Sequence, residues 1–216
     1  MDGDQVHEDE VTCCHCGANY DYDETRHCWA CDQPSCPHCT EAAPKPLCPE
    51  CKMGTLPGRV DPMLAKPGPT PPESDDWAFE FKWDGVRAMC YWDGEQMRLE
   101  SRNLLSIRQH YPELADLGPL IGARQAILDG EIVAPDAEGR PSFPLLQKRM
   151  HAPPRRARRL VSRIPIYYYV FDLLHIDDDS LISRPYHERR ARLKSLPLEH
   201  EWVRVPPSRV GRGWEM

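Results

Sequence analysis

The sequence predicts an α+β domain with a mostly antiparallel sheet, preceded by a small cysteine-dense module. Three observations carry this reading. Nine of the ten cysteines fall between positions 13 and 51. Residues 54–76 (GTLPGRVDPMLAKPGPTPPESDD) are dense in Pro and Gly and read as a linker or an extended lead-in. From Trp77 onward, strand-like and helix-like patterns alternate. The expected organisation is a cysteine-rich domain at 1–53, a linker at 54–76 and a main domain at 77–216.

The elements of the main domain follow in order. Trp77–Trp83 (WAFEFKW) alternates large apolar residues with Ala, Glu and Lys, a period-two strand signal. Val86–Trp92, Met97–Ser101, Ala126–Val133 and Ile166–Leu174 are further strand candidates. Tyr91-Trp92-Asp93-Gly94-Glu95 ends one strand, and its Asp-Gly pair fits a hairpin turn. Ser142–His151 and Arg184–Leu196 read as helices, the second with Ser183 as N-cap and Pro185 in its first turn.

Composition narrows the setting. Hydrophobic residues make up 40% of the 216, enough to bury a core. There is no apolar run near the roughly 18 residues a membrane helix needs. The start, MDGDQVHEDE, is acidic and lacks the basic and apolar regions of a secretory signal. The expectation is a cytoplasmic protein that crosses no membrane. Net charge is −7, but it is unevenly spread. Residues 1–76 hold 15 acids and 5 bases, while Arg140–Arg163 holds eight Lys or Arg and no acid. A local basic segment can engage phosphates even in an acidic chain, because salt screens charges beyond about 10 Å. The same segment could be a solvated loop.

Eight cysteines form four C-x-x-C pairs: Cys13/Cys16, Cys28/Cys31, Cys36/Cys39 and Cys48/Cys51. Two residues between thiolates let both sulfurs of a tight turn reach one tetrahedral zinc. Four pairs make two four-thiolate sites, hence about two structural zinc ions. Gly17, Pro37 and Pro49 are turn formers at these knuckles, which look like those of a double zinc ribbon. Sequential pairing (13, 16, 28, 31 and 36, 39, 48, 51) is the favoured arrangement, and interleaved pairing gives a cross-braced fold. Cys14, His15, His27 and His38 could replace a ligand. A disulfide cluster is the competing reading, but nothing resembling a secretory signal precedes it. So short a leader cannot bury much core, so metal is what folds it.

The chemistry centres on Glu80-Phe81-Lys82-Trp83-Asp84-Gly85-Val86-Arg87. A lysine on a strand, then Asp-Gly and Arg, forms the pattern K-x-D-G-x-R. This pattern resembles that of covalent nucleotidyltransferases, and the resemblance implies a lysine amine that attacks the α-phosphorus of ATP and forms a phosphoramidate. A free lysine has a pKa near 10.4, so positive charge from a metal ion and Arg87 would raise its reactive fraction. Such charge would also stabilise a departing pyrophosphate. Asp84-Gly85 permits a tight turn that returns the chain beside the phosphates. Three more stretches follow at intervals: Ser101-Arg102-Asn103, Leu128-Asp129-Gly130-Glu131-Ile132-Val133 and Tyr169-Val170-Phe171-Asp172-Leu173-Leu174.

In this order the four stretches resemble the motifs of covalent nucleotidyltransferases, the superfamily of DNA ligases, RNA ligases and mRNA capping enzymes. Pro62–Ala65, Ala134–Met150 and Asp172–Leu193 look like bacterial ATP-dependent DNA ligases of the end-joining type. The resemblance covers about residues 60–210 and implies an ATP-grasp-like, antiparallel-sheet adenylation domain. It implies that Glu80 accepts from the adenine amino group and that Lys82 takes the AMP. It further implies that Arg87 and Arg102 hold phosphates, Glu131 the ribose and Mg²⁺, and Phe171 the base. The implied cofactors are ATP and Mg²⁺, and the implied substrate is nicked duplex DNA in repair and recombination.

The family has further elements that the sequence does not match: a Glu-Gly-Val-type carboxylate strand, a K-x-K strand and an oligonucleotide-binding barrel. The expectation is an adenylation domain that stops before these, and Glu215 is no substitute for the missing carboxylate. A second polypeptide could supply them. The alternative is a catalytically incomplete, ligase-like protein that binds DNA or a repair partner, or a non-functional fragment.

Overall fold

The computed structural model describes residues 10–13, 18–21, 26–27, 34–39, 56–211 and 213. Its chain divides into two compact units, Met1–Val60 and Asp61–Met216. The Pro- and Gly-rich stretch expected as one linker is thus shared between them.

The first unit shows two small hairpins. Strands β1 (Glu10–Thr12) and β2 (Asn19–Asp21) pair antiparallel, and so do β3 (Arg26–His27) and β4 (Pro34–Ser35). Cys13, Cys36 and Cys39 lie among the described residues of this unit. The expected ligands Cys16, Cys28, Cys31, Cys48 and Cys51 lie outside the described residues, as does Glu215.

The second unit is built on one sheet. Its strands are β6 (Val86–Trp92), β7 (Met97–Ser101), β8 (Ala126–Val133), β9 (Tyr167–Ile176), β10 (Asp179–Ser180) and β11 (Val203–Arg204). They run in the order β10-β9-β8-β6-β7, and β11 joins β9. Every pairing is antiparallel except β11 with β9. The expected antiparallel α+β architecture is therefore present, with one parallel edge strand. A separate ribbon pairs β5 (Ala78–Glu80) with β12 (Ser208–Val210), Glu80 facing Ser208.

Period-two alternation gives the sheet two faces. Ala88, Cys90 and Trp92 of β6, Ala126, Leu128 and Ile132 of β8, and Tyr168, Val170 and Leu173 of β9 enter the hydrophobic core. They pack with Leu114, Leu117 and Ile121, and with Leu146 of one helix and Leu193 of another. The helices are α1 (Leu117–Leu120), α2 (Phe143–Met150), α3 (Pro154–Leu160) and α4 (Tyr186–Lys194).

Three expectations change. The strand read across Trp77–Trp83 stops at Glu80, leaving Phe81, Lys82 and Trp83 in a connecting segment. The last helix is shorter than Arg184–Leu196, and Pro185 rather than Ser183 occupies its N-cap. The basic stretch at 154–160 is a helix, not a loop, with Pro154 in its first turn.

Within the basic Arg140–Arg163 stretch, one residue is not at the surface at all. Arg149 is fully buried, donating to the Ile164 and His110 carbonyls and to both oxygens of the buried Glu113 carboxylate at 2.8 Å. Its guanidinium joins α2 to the loop before α1.

Candidate active site

The face of the sheet opposite the core carries the polar chemistry. Arg87 and Glu131 are Cα partners across β6 and β8, and Glu131 and Tyr169 are partners across β8 and β9. Residues two apart on a strand share a face, so Asp129 joins Glu131 and Phe171 joins Tyr169.

Arg87 is gripped from two sides. Its Nε donates to Asp129 Oδ1 at 2.5 Å and its Nη2 to Oδ2 at 2.6 Å, a bidentate pair with a buried carboxylate. The guanidinium carbon also lies 4.7 Å from the Phe171 ring centroid, within cation–π range. Burial works against the Arg87 charge, but the hydrogen bonds and charge of Asp129 outweigh it, and its pKa is raised. Burial in turn lifts the Asp129 carboxyl above the usual carboxylate range against the pull of Arg87. The two short N–H···O contacts mark the pair as an ion pair at neutral pH.

Glu131 is half-buried beside this pair. Burial pushes its carboxyl up to about 7, opposed by Arg87, by a hydrogen bond from the Gly85 N–H and by Lys82, and reinforced by Asp129. Lys82 is therefore within electrostatic reach of Glu131, and its side chain is exposed to solvent. The segment carrying it is held close to β8. A Cβ on Gly85 would collide with the Ile132 carbonyl oxygen and crowd the Glu131 side chain, so only glycine fits there. Trp83 anchors the same segment, stacking on Tyr169 at 3.8 Å between centroids with 4° between ring planes.

Glu80 occupies the end of β5. It forms a 3.6 Å ion pair with Arg190 and a hydrogen bond with Tyr186. Burial, partly offset by these partners, raises its pKa. Arg190 also donates to the Phe171 and Pro206 carbonyls and to Ser208 Oγ, tying β9, β12 and β5 together. A cleft of about 430 Å³ lies nearby, lined by Asp75, Asp76, Glu80, Tyr186 and His187 among others. It offers three carboxylates and no Lys or Arg, so it is not suited to a triphosphate.

Arg102 follows β7, whose Ser101 pairs with Ala88 next to Arg87. It is exposed and makes no ion pair with a described residue. The structure thus brings Arg87, Glu131 and Phe171 onto one face with Lys82 within electrostatic reach of Glu131, sets Arg102 at the same end of the sheet, and ties Glu80 to the Phe171 carbonyl through Arg190. Arg87, expected to bring positive charge beside Lys82, is paired with Asp129. Sequence reasoning passed over Asp129, Trp83, Tyr169 and Arg190. The two-residue spacing of Asp129 and Glu131 was a signal for the first.

In the other unit, the sulfurs of Cys13, Cys36 and Cys39 all lie within 4.8 Å of one another. Cys13 belongs to one of the two sequential ligand sets and Cys36 and Cys39 to the other, so the structure groups thiols across them. Among the described residues, no helix is long and apolar enough to cross a membrane.

Residues 62–209 match the family model for the ATP dependent DNA ligase domain. The chain is 40% identical over 134 residues to DNA ligase C of Mycobacterium tuberculosis, covering 62% of this chain and 37% of that protein. It is 35% identical over 150 residues to DNA ligase C1 of Mycolicibacterium smegmatis, covering 68% and 43%. Among solved structures, it resembles mycobacterial DNA ligase D complexed with ATP and MES, with a TM-score of 0.51 at 30% identity over 64% of this chain and 42% of that one. The chain spans about two fifths of the length of the curated relatives it matches.

Proposed function

Since the chain belongs to the ATP-dependent DNA ligase domain family, we propose that its second unit carries the lysine-adenylation step of nick sealing, with Lys82 as nucleophile. The observation that supports this most is the placement of the Lys82 segment. The Gly85 N–H donates to Glu131 and Trp83 stacks on Tyr169, so the segment that carries an exposed Lys82 is kept within electrostatic reach of Glu131, on the face that also bears Arg87 and Phe171.

In this reading the Lys82 amine attacks the α-phosphorus of ATP. A P–N bond forms, the P–O bond to pyrophosphate breaks, and the amine gives up a proton. AMP then passes to a 5′-phosphate at a nick, and attack by the 3′-hydroxyl releases it. Glu80, Arg87, Arg102, Glu131 and Phe171 form the nucleotide pocket, with Arg102 the cation available to phosphate. Arg87 acts mainly by holding Asp129 and Phe171 in place. Glu131 fits Mg²⁺, since that ion takes carboxylate oxygens and a half-buried carboxylate is ready here. The ion would supply charge neutralisation at the phosphates.

For DNA, α3 offers Arg155, Arg156, Arg158 and Arg159, all exposed and without an ion pair to a described residue. Such a cluster engages duplex phosphates. A second polypeptide or further domains would complete the clamp around the nick. The leader is read as a zinc module, and ATP use together with metal-ready thiols fits a reducing cytoplasm.

The test is incubation with α-labelled ATP and Mg²⁺. Covalent label should appear on the wild-type chain and vanish in Lys82→Ala. Label that survives this substitution removes Lys82 from its role.

A further inference from the structure

We propose that the leader is cross-braced. Cys13 shares one tetrahedral zinc site with Cys36 and Cys39, so the first and third C-x-x-C pairs hold one ion and the second and fourth the other. This rests on reading the leader as a metal module and is independent of the chemistry at Lys82.

Distance comes first. Zn–S bonds of ~2.3 Å place tetrahedral sulfurs ~3.8 Å apart. The three thiols already stand within 4.8 Å of one another, so about an ångström of contraction completes the geometry. Cys13 and Cys36 are buried, and Cys39 is half-buried. Burying thiols together is favourable when metal holds them as thiolates.

The backbone is set for thiolates as well. The Cys36 N–H points at Cys13 Sγ at 3.5 Å, the contact a sulfur carrying negative charge would accept. Cys39 N–H donates to the Cys36 carbonyl at 3.1 Å, closing a tight turn around Pro37 that lets both sulfurs face one point. Cys13 N–H donates to the Ala18 carbonyl at 2.9 Å, so the chain is back beside Cys13 at Ala18.

Topology then separates the pairs. Cys13 directly follows β1 and Cys36 directly follows β4. In the β3–β4 hairpin, Arg26 pairs with Ser35 at the open end, where Cys36 leaves. His27 pairs with Pro34 at the closed end, toward the connection that contains Cys28 and Cys31. An antiparallel hairpin puts its connection opposite its open end. With Cys36 and Cys39 grouped with Cys13, the pairs Cys28/Cys31 and Cys48/Cys51 are left for the second ion. A cross-brace suits a leader with little core, because each ion ties two distant segments and neither half can fold alone.

The test uses the full chain with its zinc exchanged for cadmium-113 and proton–cadmium correlation spectroscopy. The β-protons of Cys13, Cys36 and Cys39 should correlate with one cadmium resonance, and those of Cys28 and Cys31 with a second. If Cys13 shares its cadmium with Cys28 or Cys31, the cross-brace is overturned while the zinc module stands. A leader that folds without metal, its thiols joined as disulfides, overturns both.

Discussion

Removing the Asp129 carboxylate should loosen the site by a calculable amount. The Asp129 side chain is 4% exposed and Arg87 22% exposed, and two hydrogen bonds of 2.5 and 2.6 Å join them. Breaking a fully buried pair from one side costs about 3–5 kcal/mol, because the partner charge stays buried. Arg87 keeps some solvent and a contact with the Met63 carbonyl at 3.3 Å, so Asp129→Ala should cost roughly 3 kcal/mol, toward the low end of that range. For a domain of this size each kcal/mol lowers Tm by about 2–4 °C, so the shift should be about 6–12 °C. Asp129→Asn keeps an acceptor and should cost less, about 1–2 kcal/mol. Differential scanning calorimetry of both variants, of Arg87→Met and of Asp129→Ala/Arg87→Met gives a double-mutant cycle. The double variant should recover about 1–3 kcal/mol relative to additivity. Strict additivity, or a Tm shift in Asp129→Ala below about 2 °C, would refute the idea that this pair holds the face together.

Three further outcomes follow from the same geometry. Glu131 titrates near 7 when folded against 4.5 ordinarily, so the fold favours its protonated form. Its contribution to stability is present below 4.5 and lost as pH rises through 7, whereas Mg²⁺ binding needs the ionised carboxylate. AMP transfer by the wild type should thus climb through pH 7 as thermal stability without metal falls, and Glu131→Gln should flatten both profiles in a matched pH series. Gly85→Ala drives a Cβ into the Ile132 carbonyl and should cost about 1–3 kcal/mol by denaturant unfolding; wild-type stability and AMP transfer would show that the segment is not pinned to β8. Changing Arg155, Arg156, Arg158 and Arg159 to Gln should flatten the salt dependence of duplex binding by about 0.9 in log–log slope for each lost phosphate contact. An unchanged slope would take α3 out of the interface.

Much of this was legible in the sequence. Val86–Trp92, Met97–Ser101 and Ala126–Val133 are strands to the residue, because their alternation matches a sheet with one core face and Asp93-Gly94 marks the turn between the first two. The strand at Trp77 was overextended for a physical reason. Alternation of aromatics looks the same whether they enter a core or line a site. Phe81 is 47% exposed and Trp83 is occupied with Tyr169, so neither extends the ladder. Its true partner, β12, is nearly the whole domain away in sequence. Long-range pairs were equally hidden: Arg149 counted toward a basic stretch, yet Glu113 and two carbonyls bury it completely. The helix at Pro154 was recoverable, since proline favours the first turn of a helix. In the leader, the short step from Cys31 to Cys36 favoured sequential pairing, whereas the approach of Cys13 to Cys36 and Cys39 depends on the path of the chain and not on spacing.

The pairing of β5 with β12 sets a schedule for the nascent chain. Lys82 leaves the ribosome early, just after β5, but the ribbon that seats its segment needs Ser208–Val210. At 5–20 residues per second, the interval is on the order of ten seconds. If Lys82 takes AMP as proposed, the amine is made before its segment is seated, so AMP acceptance should begin only once β12 has emerged and paired with β5.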